Sequence, residues 1–107
     1  MAGDLQSHIH HLHLLAAADA NPKLVKTLLA DKQVVKCVCE IALNVLRGRV
    51  DLTPDEKENL YKYRKLLYKL CNKDCTFARK RQALVQTGAG FLPALLIPAL
   101  SFIASLF

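Results

Sequence analysis

Histidines, cysteines and a crowd of lysines and arginines are the residues of this chain that could do chemistry, and their spacing sorts them. His8, His10, His11 and His13 make two pairs three residues apart, so one helical face would offer two imidazoles to a metal. No carboxylate or thiol stands at a local spacing that would complete a tetrahedral set, and the cluster reads as a solvated face that gains charge below about pH 6. Cys37 and Cys39 point about 200° apart on a helix and cannot share one ion without unwinding it. Cys71 and Cys75 are four apart, but they flank a predicted helix break. The four cysteines read as small core residues with reduced thiols, and no metal or cofactor is expected. The chain has no Gly-rich phosphate loop, no paired carboxylates in an apolar setting and no Ser/His/Asp or Cys/His arrangement, so enzymatic activity is not expected.

The cations are the stronger signal. Of the net charge of +6, none comes from the first half, where six Lys/Arg face seven acids up to Glu56. Residues 57–81 carry nine Lys/Arg against Glu58 and Asp74 alone. Lys62, Arg64, Lys65, Lys69, Lys73, Arg79, Lys80 and Arg81 are the candidate nucleic-acid contacts, because cations that neutralise phosphates release counterions and bind without sequence choice. Tyr61, Tyr63, Tyr68 and Phe77 are interleaved with them and offer rings on which exposed bases stack. The same pattern also suits a solvated charged face whose tyrosines cover a core.

Beyond Arg81 no side chain is charged. The last 17 residues, 91–107, would extend ~26 Å as a straight helix, slightly short of the ~30 Å of a bilayer's hydrocarbon. Phe91, Leu92, Leu95, Leu96 and Ile97, followed by Leu100, Phe102, Ile103, Leu106 and Phe107, are accordingly the candidate membrane-binding residues, with Arg79-Lys80-Arg81 as a tight knot at anionic headgroups. Self-association of such tails and packing onto the domain are the alternatives.

The elements that must position these residues are helices. Leu5, Ile9, Leu12, Leu15 and Ala16 have helical spacing, with Asp4 or Ser7 as caps. Asn21-Pro22 opens a second, short helix. Val34, Val35, Val38, Ile41, Ala42, Val45 and Leu46 line a third, which Gly48 closes. Thr53-Pro54-Asp55-Glu56 is a full start signal for a fourth helix carrying Leu60, Tyr63, Leu67 and Leu70, and Thr76 caps a fifth. The expected architecture is all-α: a bundle of four to five helices over residues 1–87 with a basic second half, a Gly88-Ala89-Gly90 hinge, and a hydrophobic helical tail over 91–107. No apolar run follows a basic start, so an intracellular location without a signal peptide is expected.

The segment Cys37-Val-Cys-Glu-Ile-Ala-Leu-Asn-Val-Leu-Arg-Gly, the Leu52-Thr-Pro start, the run Tyr63-Arg-Lys-Leu-Leu and the ending Gly90-Phe-Leu-Pro-Ala-Leu-Leu occur here in order. Together they resemble the short basic proteins encoded beside capsid genes in adintoviruses and Polinton-type mobile elements of animals, which are likened to the adenovirus core protein X, or mu. The resemblance spans about residues 21–107. It implies a virion component that condenses DNA or touches membrane during entry, with capsid proteins among its partners. It also implies processing by a cysteine protease after a Gly-containing motif: Gln86-Thr-Gly-Ala-Gly is similar, with cleavage between Ala89 and Gly90, although Gln86 stands where that motif prefers Met, Ile or Leu. The function expected from these readings is a virion-associated protein that binds nucleic acid through basic helices and engages membrane through its tail. A tail-anchored or membrane-perturbing protein with no nucleic-acid role, and a homo-oligomeric structural module, are the rivals.

Overall fold

Caps written into the sequence set most of the helix boundaries. The computed structural model describes the backbone of residues 2–17 and 21–106, and their side chains except those of residues 2–8, 22, 88, 89, 103, 105 and 106. Leu5 and the caps Asp4 and Ser7 therefore lie outside the described side chains. Helix α1 runs Ala2–Ala17, α2 Pro22–Leu28, α3 Lys32–Leu46, α4 Pro54–Tyr61, α5 Arg64–Cys71 and α6 Phe77–Leu106. No strand occurs among the described residues.

Asn21 Oδ1 accepts the Leu24 amide at 3.1 Å, with Pro22 in the first turn where its missing N–H costs nothing. Asp31 accepts from the Gln33 amide at 2.9 Å to open α3. At its far end the Gly48 amide donates to the Val45 carbonyl and the Arg49 amide to that of Asn44, a Schellman closure that needs Gly48 at φ +72°. Thr53 and Glu56 form a reciprocal capping box, with the Thr53 amide donating to Glu56 Oε1 at 2.8 Å and the Glu56 amide to Thr53 Oγ1 at 3.2 Å.

Two expectations about the elements are corrected. The helix begun at Thr53 is not continuous to Cys71: it stops at Tyr61 and restarts at Arg64, with Tyr63 at φ −109°, ψ 21° between them. No glycine or proline causes the break. The Tyr63 ring instead leaves the α4 line to sit edge-on against Phe91, 5.6 Å between centroids, and its hydroxyl lies where a Cβ of Gly90 would be. A tertiary contact therefore overrides local helix propensity.

The second correction concerns the C-terminal segment, which is the centre of the bundle and not an appended tail. Helix α6 packs against all five other helices. Phe91, Leu92, Leu95 and Leu96 are each 0 % exposed, and Leu100 3 %. Leu12 and Leu15 of α1, Leu29 at the C-cap of α2 and Val34, Val38 and Ile41 of α3 belong to the same core. Of the other tail residues, Ile97 is exposed, Phe102 is half-buried, and the side chains of Ile103, Leu106 and Phe107 lie outside the described ones. An all-round apolar helix in a chain of this size removes most apolar surface from water by becoming the hub that the amphipathic helices wrap.

Helix α6 reaches that position by bending 101° between Phe77–Thr87 and Gly90–Phe102. Two local causes meet there. Gly88 and Gly90 carry no Cβ, and Pro93 cannot donate to the Ala89 carbonyl, which its ring also crowds. The bend lets the basic first half lie at the surface while the apolar second half turns inward. Among the described residues, six helical segments on seven axes result, more than the four to five expected, within a body of radius of gyration 12.5 Å and extents 29 × 29 × 28 Å.

Candidate nucleic-acid interface

Helix α5 is amphipathic in the strict sense: Leu67 and Leu70 are buried, while Arg64, Lys65, Tyr68 and Lys69 are exposed. Its face is flanked by three open depressions that share residues. One of about 490 Å³ is lined by Lys65, Tyr68, Lys69 and Asn72 with Asp74, Cys75 and Arg79. A second, of about 390 Å³, is lined by Lys62, Tyr63, Arg64 and Lys65 with Leu66 and Thr87. The third, of about 380 Å³, includes Lys57, Tyr61, Arg64 and Tyr68. Lys65 belongs to the first two and Arg64 to the last two, so the depressions form one continuous surface.

Lys62, Arg64, Lys65, Lys69 and Arg79 are exposed on that surface, with Asp74 the only carboxylate lining its first two depressions. Among the described residues none of these five is ion-paired with a carboxylate. Arg64 contacts Tyr61 instead, donating from Nη1 to its carbonyl at 3.3 Å and holding its guanidinium carbon 4.5 Å from the ring centroid. Like charges held close without counter-ions repel one another, and a polyanion relieves that repulsion. Lys73 is exposed in the α5–α6 connection, where Asn72 Oδ1 accepts the Asp74 amide at 2.9 Å.

The Arg79-Lys80-Arg81 knot does not survive folding as one patch. Successive residues on a helix are turned by 100°, so the three fan apart. Thr76 Oγ1 accepts the Arg79 amide at 3.3 Å and fixes the phase of the first turn. Arg79 then joins the α5 face. Lys80 is half-buried beside Cys39 and Cys71, whose thiol pKa values burial raises and the Lys80 charge partly offsets. Arg81 is half-buried beside a separate depression lined by Lys26, Phe77 and Gln82, its Nε buried without a hydrogen-bond partner.

Chain order hid one grouping: α3, α5 and the connection after α5 bring Cys39 near Cys71 and Cys75. Burial pushes the Cys39 thiol up to about 11; Lys80 opposes the shift, and Cys71 and Cys75 reinforce it. Burial likewise raises Cys71 against Lys80 and Arg47. These are poorly ionised thiols, and among the described residues no group of three His, Cys, Asp or Glu is arranged to hold a metal. Cys37 is buried in the α3 core. His10 and His13 are exposed and His11 is half-buried, with the His10 and His11 rings edge-to-face at 5.9 Å; His8 lies outside the described side chains.

No helix among the described residues is long and apolar enough to cross a membrane alone; the two halves of α6 meet that requirement only as a bent pair. The Ala89–Gly90 peptide falls at the bend in helical backbone, with Gly90 against the Tyr63 hydroxyl and the Ala89 side chain outside those described. Comparison with protein-family models, with curated protein sequences and with solved structures returns no match.

Proposed function

We propose that this chain is a non-enzymatic, virion-associated accessory protein that binds nucleic acid without sequence choice through the cations of α5 and its flanks. One observation carries the reading: Lys62, Arg64, Lys65, Lys69 and Arg79 are exposed on one connected surface and, among the described residues, none is ion-paired with a carboxylate. The virion setting rests on the resemblance to the adintovirus and Polinton-type proteins. Five neutralised phosphates give log K a slope of about −4 to −5 against log salt on duplex DNA. A gel shift across a salt series reads that slope. Lys65→Gln with Lys69→Gln is expected to flatten it by about 2. Affinity indifferent to salt would remove the proposal.

Membrane engagement is a second reading, favoured by the bent apolar pair in α6. Leu92, Leu95 and Leu96 are core residues, so lipid must compete with the bundle for them. The mechanism therefore requires the second half of α6 to swing out about the Gly88-Ala89-Gly90 bend, uncovering Leu12 and Leu15 of α1. Flotation of the full chain with anionic vesicles, read with amide exchange, tests it. Binding with α1 and α3 amides deprotected supports insertion; binding with their protection intact leaves only surface attraction of the cations.

A further inference from the structure

The third depression on the basic surface differs in kind from the other two. Its lining is mostly apolar, with buried Val50, Leu60 and Leu67 and half-exposed Val45 and Leu52 beside the exposed Asp51 and Lys57. Two exposed rings line it: Tyr61 is 64 % exposed and Tyr68 63 %. Neither ring closes the core, whereas Tyr63, two residues after Tyr61, is half-buried against Phe91. Arg64 lies between the two tyrosines in sequence and is already set in place by its contacts with the Tyr61 ring and carbonyl.

We propose that this groove, lined by Tyr61, Arg64 and Tyr68, takes an unstacked base of single-stranded nucleic acid while the α5 cations hold the adjoining phosphates. The assignment rests on the proposed nucleic-acid function and adds to it which form of nucleic acid is preferred and which side chains select it. Three features fix the occupant. A volume of about 380 Å³ lies in the range of small-ligand sites and suits a planar base. Exposed aromatic faces attract bases of any identity, and a guanidinium beside a ring adds a cationic stacking partner. Arg64 also lines the neighbouring depression with Lys62 and Lys65, so a strand leaving the groove runs directly onto cations. A duplex keeps its bases stacked on one another and leaves both tyrosines unused.

The test compares a single-stranded thymidine oligonucleotide with a duplex of equal phosphate count, using the full chain at fixed salt. The unaltered protein is expected to prefer the single strand. The chain contains no tryptophan, and two of its three tyrosines line the groove, so tyrosine emission, corrected for absorption by the nucleic acid, is expected to be quenched by the single strand and not by the duplex. Tyr61→Ala with Tyr68→Ala is expected to weaken single-strand binding by about 5- to 100-fold, with a clearly smaller loss on the duplex, from the freed Arg64, and both salt slopes unchanged. The Tyr→Phe pair, which keeps the rings, retains full affinity. Unquenched emission together with equal losses on both forms, or no loss on either, overturns the inference. Competition by an acidic aromatic peptide against the duplex-bound protein, with no effect of the single strand on emission, overturns it in favour of a protein ligand. Steep salt dependence surviving those results leaves the broader function standing; its absence removes both.

Discussion

At the scale of single residues, local chemistry decides most of what this molecule does. Thr53 satisfies one orphan amide of α4 and Glu56 answers with a second bond, so Thr53→Ala is expected to cost about 0.5–2 kcal/mol in urea unfolding, while Glu56→Gln keeps an acceptor and costs less. Cys39 shows the reverse case, a reactive atom made inert by its surroundings. Burial outweighs the attraction of Lys80, and a pKa near 11 leaves about 100-fold less thiolate at pH 8 than an ordinary value near 9 would. Alkylation followed by mass spectrometry should find Cys39 labelled correspondingly slowly, and labelling at the rate of an exposed peptide thiol would contradict its placement. The stability consequence has a definite sign. The fold favours the neutral thiol, so this contribution is whole below pH 9 and is lost as pH climbs toward 11, and Cys39→Ala should remove that part of the pH dependence. Such residue-scale signals are the ones sequence carries best: Asn21-Pro22, Gly48, the Thr53 box and Thr76 each act on amides or carbonyls within four positions of themselves, and each does so in the structure.

At the scale of elements the same locality becomes a blind spot. Nothing between Thr53 and Cys71 marks a break at Tyr63, because its cause lies nearly thirty residues on, in Gly90 and Phe91. Nor does the triplet Arg79-Lys80-Arg81 announce that it will be dispersed; that requires knowing which face of α6 meets Cys39 and Cys71. The Tyr63–Gly90 contact can be isolated. Gly90 lies in helical backbone, where alanine is intrinsically better by about 1 kcal/mol, yet an added Cβ would meet the hydroxyl of a ring already held by Phe91. Overpacking of that kind costs about 1–3 kcal/mol, so the clash is expected to win and Gly90→Ala to destabilise. In a Tyr63→Leu background the obstruction is gone and the sign should invert, with Gly90→Ala stabilising. A double-mutant cycle by thermal or urea unfolding measures the difference, and additive effects would deny the contact.

At the scale of the whole molecule, hydropathy along the chain says that residues 91–107 avoid water and does not say what they avoid it with. Helices α1, α3 and α5 each bury a stripe, and stripes need a partner surface. In a chain of 107 residues the one segment apolar on all sides is the natural partner, which the length of the chain and the stripes together imply more strongly than the lack of charge does alone. A division after Thr87 is therefore a division through the core. Phe91, Leu92, Leu95, Leu96 and Leu100 are buried at 3 % exposure or less, and at about 1.5–3 kcal/mol each their removal is comparable with the entire 5–15 kcal/mol that holds a domain of this size. A chain ending at Thr87 is expected to lose cooperative thermal unfolding and the near-ultraviolet signal of its tyrosines, retaining at most fluctuating helix. An independent basic domain with an appended tail would instead leave residues 1–87 melting as a unit near the full-length midpoint. The outcome bears on function as well. The α5 cations are held on one surface by Leu67 and Leu70, which belong to the same core as Phe91 and Leu95. Loss of that core should leave a flexible polycation that still binds polyanions in proportion to its charge but no longer distinguishes single strand from duplex.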